Sequence, residues 1–280
     1  MTLAIEPIVY QVFSEGAHRG NCAQVIPSPA IQPRIQPDWN AVSACSVVDL
    51  SNIEPHASQA PVHWFGPQGA IAYCGHGALA IAAYLADQQG YSDVRQLLFP
   101  AGGYNIKSCD GVFWLSQAFP TLPEITNANP LSYQRLIDAP SQTKADLETP
   151  VEAVEVGGEQ GYVILRMPDN YDLTLITPRV AEILSTTERA MILTATLDNT
   201  STGNYDYSLR YFAPQYGAIE DPATGSANLI LARFWYERLP RAQYRVYQAS
   251  SAGAVIHVQC SAHEYWIGGT VKRVTRKVEV

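Results

Sequence analysis

Two eighteen-residue stretches, about half the chain apart, are written on one plan: HWFGPQGAIAYCGHGALA from His63 and RYFAPQYGAIEDPATGSA from Arg210. Each runs from an aromatic strand through a proline-glutamine turn into a loop of small residues, and each loop opens an apolar helix. With the two loop-to-helix junctions set side by side, Gly75-His76-Gly77-Ala78 lies over Thr224-Gly225-Ser226-Ala227. A duplicated strand-rich unit with one buried helix predicts two copies that face each other across a cleft. The division is placed at 1–128 and 129–280, the last strand being free to return to the first lobe, with 130–144, polar and rich in proline, as the connection.

The remaining elements follow from hydrophobic period. Val9–Phe13 and Cys22–Ile26 read as strands of a hairpin, and Asp38 opens an amphipathic stretch, WNAVSACSVVDL, that predicts a helix. Gly90 is placed as the C-cap of the apolar helix that starts after Cys74. In the second half, VEAVEVGGEQGYVILRM is a hairpin turning at Gly157 and Gly158, RVAEILSTTERA a helix, and three closing strands end the chain.

Composition narrows the function classes. With 280 residues, 47% apolar and 16% charged, the chain has material for a sizeable core. A net charge of −8 and the lack of any basic cluster argue against nucleic acid as a partner. No uncharged stretch reaches membrane-span length, and the first residues, MTLAIEPIVYQVFSE, lack the features of a secretion signal, so the expected location is cytoplasmic. Five cysteines at irregular spacing form neither a disulfide framework nor a zinc knuckle, and the six histidines show no metal-binding spacing. ATP, GTP and NAD have no support in the sequence, since phosphate-loop and dinucleotide fingerprints are both absent.

A small-residue loop opening a helix leaves backbone N–H groups unpaired at the positive end of the dipole. Gly75, Gly77 and Ala78 in one half, and Gly225, Ser226 and Ala227 in the other, are therefore candidates for holding a carboxylate, as well as for turn and packing duty. His76 is placed to carry a proton or only to bond the loop; Asp221, before Pro222, either acts on substrate or caps the second helix. Cys74 reads as a small buried hydrophobe whose place also borders a ligand site.

With GNCAQVI, HWFGPQGAIAYCGHGALA and RYFAPQYGAIEDPATGSA in view, the chain resembles the phenazine biosynthesis PhzF-like proteins, which share a fold with diaminopimelate epimerase. The resemblance implies an α+β fold of two similar lobes, each a curled, barrel-like mixed sheet around a central helix. It further implies a homodimer and a cofactor-independent isomerase or epimerase that moves a proton within a small carboxylated metabolite. Carried over by residue, it places Gly75, His76, Asp221, Gly225 and Ser226 in the site. A position that is cysteine in related two-cysteine epimerases is Ala223 here, which removes that mechanism.

The family's Leu-Ser-Glu, whose glutamate is the proton-abstracting base, is matched to Leu50-Ser51-Asn52, and the family's acidic residue just upstream of its cysteine-glycine-histidine loop is matched to Ala70. Asn52 is thus expected to bind rather than abstract. If a strand begins there, Glu54 projects from the same face as a substitute base. The alternative is a metabolite-binding protein on the same fold that has lost its base.

Overall fold

The computed structural model describes residues 7–27, 37, 39, 42–67, 69–117, 124–140, 150–198, 203–261 and 264–274. The first half contains β1 (Ile8–Val12), β2 (Asn21–Pro27), β3 (Ala44–Val48), β4 (Gln59–Gly66) and β5 (Gly69–Ile71). There follow α1 (Gly75–Ala86), β6 (Gln96–Phe99), β7 (Gly102–Cys109), β8 (Val112–Gln117) and β9 (Ile125–Ala128). The second half starts with α2 (Pro130–Gln134), β10 (Ile137–Asp138), β11 (Glu152–Val156), β12 (Tyr162–Arg166), β13 (Thr177–Pro178) and α3 (Val180–Thr186). It closes with β14 (Ala190–Thr196), β15 (Tyr207–Ala213), β16 (Ala218–Glu220), α4 (Gly225–Arg238), β17 (Gln243–Gln248), β18 (Ala254–Cys260) and β19 (Tyr265–Arg273).

Pairing shows the duplication directly. In the first half β2 and β3 run parallel, as do β4 and β6, while β5 folds back on β4 just before α1. In the second half β12 and β14 run parallel, as do β15 and β17, while β16 folds back on β15 just before α4. The first sheet closes on itself: β1, β2, β3, β4, β6, β7 and β8 form a ring completed by β19, which pairs with both β8 and β1. The same β19 also pairs with β18, so it continues the second sheet, which runs on through β17, β15, β14, β12 and β11 to β9.

Each sheet curls around one helix, giving the two-lobed α+β architecture. All residues of α1 except Ala86 are buried, as an all-round apolar sequence requires. α4 packs on the second sheet through Trp235, whose Nε1 donates to Thr194 Oγ1 of β14 (3.1 Å) and whose ring stacks on Tyr207 of β15. One apolar cluster runs through both lobes, from Tyr10 through α1 and α4 to Ile267.

Several local expectations change. The stretch expected to be helical from Trp39 contains β3, with all five of its residues buried; residues 38, 40 and 41 lie outside the described set. A strand covered on both faces in a parallel pair needs a continuous apolar run rather than alternation, and such a run over ACSVV imitates a buried helix. α1 ends at Ala86 with Asp87 as its C-cap, and Gly90 (φ 87°) sits three residues further on in a turn instead of capping the helix. The expected connection carries α2 and β10, with Tyr133, Leu136 and Ile137 packed in a second apolar cluster; residues 141–144 lie outside the described set.

Candidate functional site

The two helix starts meet head to head. A Cβ built on Gly75 would stand 3.2 Å from the Gly225 Cα, and one built on Gly225 would stand 3.4 Å from the Gly75 Cα. Only glycine at both positions lets the two backbones come this close. Phe13, fully buried with a positive φ of 62°, braces the junction from behind, because its ring edge lies 3.4 Å from the same Gly225 position. The first N–H groups of both helices consequently point into one region.

The two helix starts differ in how they are capped. Cys74 is the N-cap of α1, and its sulfur accepts from the Gly77 N–H at 3.3 Å. Burial pushes its thiol up to about 12, so it stays a neutral cap and not a thiolate nucleophile. Gly77 has no room for a side chain: a Cβ would lie 2.6 Å from Ser46 Oγ and 2.7 Å from Cys74 Sγ. Thr224 is the N-cap residue of α4, but its side chain makes no cap bond; its hydroxyl turns to Asp221 instead. That leaves the start of α4 the better open cradle for an anion.

His76 and Asp221 are joined by a chain of side chains. Ser43 Oγ lies 3.0 Å from His76 Nε2 and donates to Asn21 Oδ1 at 2.5 Å. Asn21 Nδ2 in turn donates to Asp221 Oδ1 at 2.7 Å and approaches the Ala223 carbonyl at 3.4 Å. On the other side Thr224 Oγ1 donates to Asp221 Oδ2 at 2.7 Å. Gln248 fixes that corner: its Oε1 accepts from the Thr224 N–H (2.8 Å) and its Nε2 donates to the Asp221 carbonyl (2.7 Å).

Burial sets the electrostatics. Desolvation raises the Asp221 carboxyl to about 6, opposed by the hydrogen bonds from Thr224, Asn21 and the Ala223 backbone. His76, 8% exposed, is lowered by desolvation to about 4 and is a neutral imidazole at physiological pH. Two groups with ordinary values on the acid side of neutrality are thus pushed in opposite directions within one network. Across the junction the Tyr162 hydroxyl bonds the side chain of Ser226, and Tyr211 backs the Asp221 main chain by accepting its N–H at 3.2 Å.

Of the residues singled out in the sequence, Cys74, Gly75, His76, Gly77 and Ala78 come together with Asp221, Gly225, Ser226 and Ala227 at this junction. Asn52 and Glu54 do not. Asn52 ends a 3₁₀ turn, Leu50–Asn52, not the start of a strand, and it is exposed with its Nδ2 bound to Asp49 Oδ2 at 2.6 Å. Glu54 is exposed too. The same-face argument for Glu54 falls with the strand. β3 intervenes between Ser43 and this turn, and its five residues span roughly 15 Å.

Sequence reasoning missed Asn21, Ser43, Thr224 and Gln248. Asn21 lies inside GNCAQVI, and its polarity at the buried start of a strand (3% exposed) was the available signal. Ser43 was hidden in the stretch read as helix. Among the described residues no three His, Cys, Asp or Glu side chains group as a metal site would require, and no helix is long and apolar enough to cross a membrane.

Comparison with known proteins agrees with this architecture. An uncharacterized isomerase of Halalkalibacterium halodurans is 25% identical over 96% of both chains. The mouse phenazine biosynthesis-like domain-containing protein 1 is 28% identical over 72% of this chain and 70% of its own. Among solved structures, a PhzF-family phenazine biosynthesis protein of Enterococcus faecalis superposes with a TM-score of 0.72 at 23% identity, covering 96% of this chain and 98% of its own. A probable proline racemase of Agrobacterium radiobacter shares the fold more distantly, with a TM-score of 0.51 at 12% identity over 97% and 93% of the two chains. With the family model for phenazine biosynthesis-like proteins, PhzC-PhzF, matching residues 10–270, the chain belongs to that family.

Proposed function

We propose that this protein is an isomerase or epimerase that moves a proton within a small carboxylated metabolite, at the junction of α1 and α4 and without an organic cofactor. The observation that carries the reading is the pairing of Asp221 and His76 in one hydrogen-bonded chain where two helix N-termini converge. The helix starts supply N–H groups for a carboxylate or a developing enolate oxygen. Asp221, with a carboxyl near 6, changes protonation close to neutral pH and so suits both abstraction and return of a proton. The neutral His76 accompanies it as a hydrogen-bonding partner to substrate. The isomerase name carried by the Halalkalibacterium halodurans relative points the same way.

The test is deuterium wash-in from heavy water at a substrate carbon, over a panel of small hydroxy, amino and unsaturated carboxylates. Asp221→Asn is expected to lower exchange at least ~100-fold, the usual scale of a lost acid or base. Glu54→Gln is expected to leave exchange within about twofold, since that side chain is exposed and outside the network. Exchange that survives Asp221→Asn but vanishes in Glu54→Gln would overturn the assignment.

A second reading, a metabolite-binding protein, has its own observation. The serine that reaches His76 is Ser43, and the residue after it is Ala44, fully buried at the start of β3. If this Ser-x pair stands where the family carries Ser-Glu, a methyl replaces the base. Tight binding of a carboxylate with no exchange, and exchange gained in Ala44→Glu, would favour this reading over the first.

A further inference from the structure

The direction of every hydrogen bond between His76 and Asp221 is fixed by chemistry. Ser43 Oγ and Asn21 Oδ1, 2.5 Å apart, must share a hydrogen, and the amide oxygen has none to give, so the serine donates. The opposite amide orientation is excluded while Asp221 is ionised, because it would set Oδ1 against the Asp221 carboxylate and against the Ala223 carbonyl, neither of which can donate. Ser43 has thus spent its one hydrogen, and its 3.0 Å contact with His76 can only be an acceptance from Nε2–H. Donation runs one way along four side chains, from His76 through Ser43 and Asn21 to Asp221, and meets there a second donor from Thr224.

We infer that Asn21 and Ser43 are positioning residues that transmit the charge state of Asp221 to the His76 ring, holding it as the Nε2–H tautomer with Nδ1 as its bare, proton-accepting nitrogen. The roles of His76 and Asp221 toward substrate rest on the proposed function; the polarity of the relay does not. When Asp221 takes up a proton on Oδ1, one proton is added to the carboxylate and the acid can donate to Asn21 Oδ1, so the amide can turn over at the cost of its 3.4 Å contact with the Ala223 carbonyl. Asn21 Nδ2 then donates to Ser43, Ser43 donates to Nε2, and the ring proton moves to Nδ1 by exchange with solvent, leaving the ring neutral throughout. The imidazole nitrogen presented to a ligand would so alternate with the protonation of a carboxylate in the other lobe. The groups facing Asp221 are Glu220, itself held by Arg210 at 2.7 Å, together with Tyr211 and Cys74; Cys74 also faces the ring, with Sγ 3.9 Å from each nitrogen.

Nitrogen-15 NMR of the ring tests this without any substrate. Well above pH 6 the full-length protein is expected to show His76 as Nε2–H, with that proton slow to exchange, and its ring shifts are expected to follow a step near pH 6 with no protonation of the imidazole. Ser43→Ala should abolish both the slow exchange and the step, while Ser43→Thr, which keeps the hydroxyl, should restore them. Asn21→Ala should remove the step as well, and Asp221→Asn, which should also remove it, serves if Asn21→Ala does not fold. An Nδ1–H ring in the wild type above pH 6, or a step unchanged in Ser43→Ala, overturns the relay. A wild type that shows the relay but exchanges no substrate proton leaves the relay standing and rejects the isomerase reading instead.

Discussion

At the residue scale, Asp221 and His76 impose opposite pH dependences on folding. Asp221 is raised from 3.8 to about 6, so the native state holds its proton more tightly than the unfolded chain, and stability falls as pH rises from roughly 4 to 6. His76 is lowered from 6.5 to about 4, so the native state holds that proton less tightly, and stability rises with pH over roughly 4 to 6.5. Each shift is worth roughly 3 kcal/mol, and over the shared window the two slopes nearly cancel. Urea unfolding across that window is therefore expected to be almost flat in the wild type. Asp221→Asn should expose the rising slope of His76, and His76→Gln the falling slope of Asp221. A wild type as steep as either variant would show that one of the two groups is not shifted. The residues behind this effect were legible in the sequence, since both flank a small-residue loop that opens a helix. Their connection was not: Asn21 and Ser43 stand 200 and 33 positions from their partners, and only the sheet brings them together.

At the element scale, the close approach of α1 and α4 rests on two glycines and a thin backbone contact. Gly75→Ala places a methyl 3.2 Å from Gly225 Cα and 3.5 Å from the Ser226 nitrogen, and Gly225→Ala places one 3.4 Å from both Gly75 Cα and the Phe13 ring. Either change alone asks the helices to part by a few tenths of an ångström and should cost about 1 kcal/mol in urea unfolding. Both together put two methyls into the same gap, so the loss should exceed the sum of the singles by about 1 kcal/mol; a merely additive double variant would mean that the helix starts are not in contact. Gly77→Ala is more severe, with the Ser46 hydroxyl at 2.6 Å, the Cys74 sulfur at 2.7 Å and the Trp64 ring at 3.0 Å from the new methyl, and should cost about 2 to 3 kcal/mol. The helix starts could be read from sequence because their glycines recur in both halves. β3 and β14 could not: every residue of β3 and all but the last of β14 are buried, so neither shows the alternation that marks a strand. Asn52 and Glu54 failed for a related reason, since a strand assumed at Asn52 is a 3₁₀ turn capped by Asp49.

At the scale of the whole molecule, the duplicated plan gives two lobes, yet β19 belongs to both. Its residues pair with β18 from Tyr265 to Gly268, with β8 from Trp266 to Thr270, and with β1 from Val271 to Arg273. Removing it would leave three strands with unpaired edges and open the ring that encloses α1, exposing a helix buried on all sides. The main apolar cluster crosses between the halves as well, so the lobes share their core in addition to a strand. Independent unfolding of either lobe would have to break these contacts without relief from the other, which favours one cooperative transition. Trp64, buried in the first lobe, and Trp235, buried against β14 and β15 in the second, report on the two halves separately. In variants that keep only one of these tryptophans, with the others replaced by phenylalanine, the two urea transitions are expected to share a midpoint and a slope. A chain truncated after Glu264 should show no cooperative transition with either probe. Two separated midpoints, or a truncated chain in which Trp235 still reports a sharp transition, would show that the second lobe folds by itself and that β19 is an addition to it, not the strand on which both sheets depend.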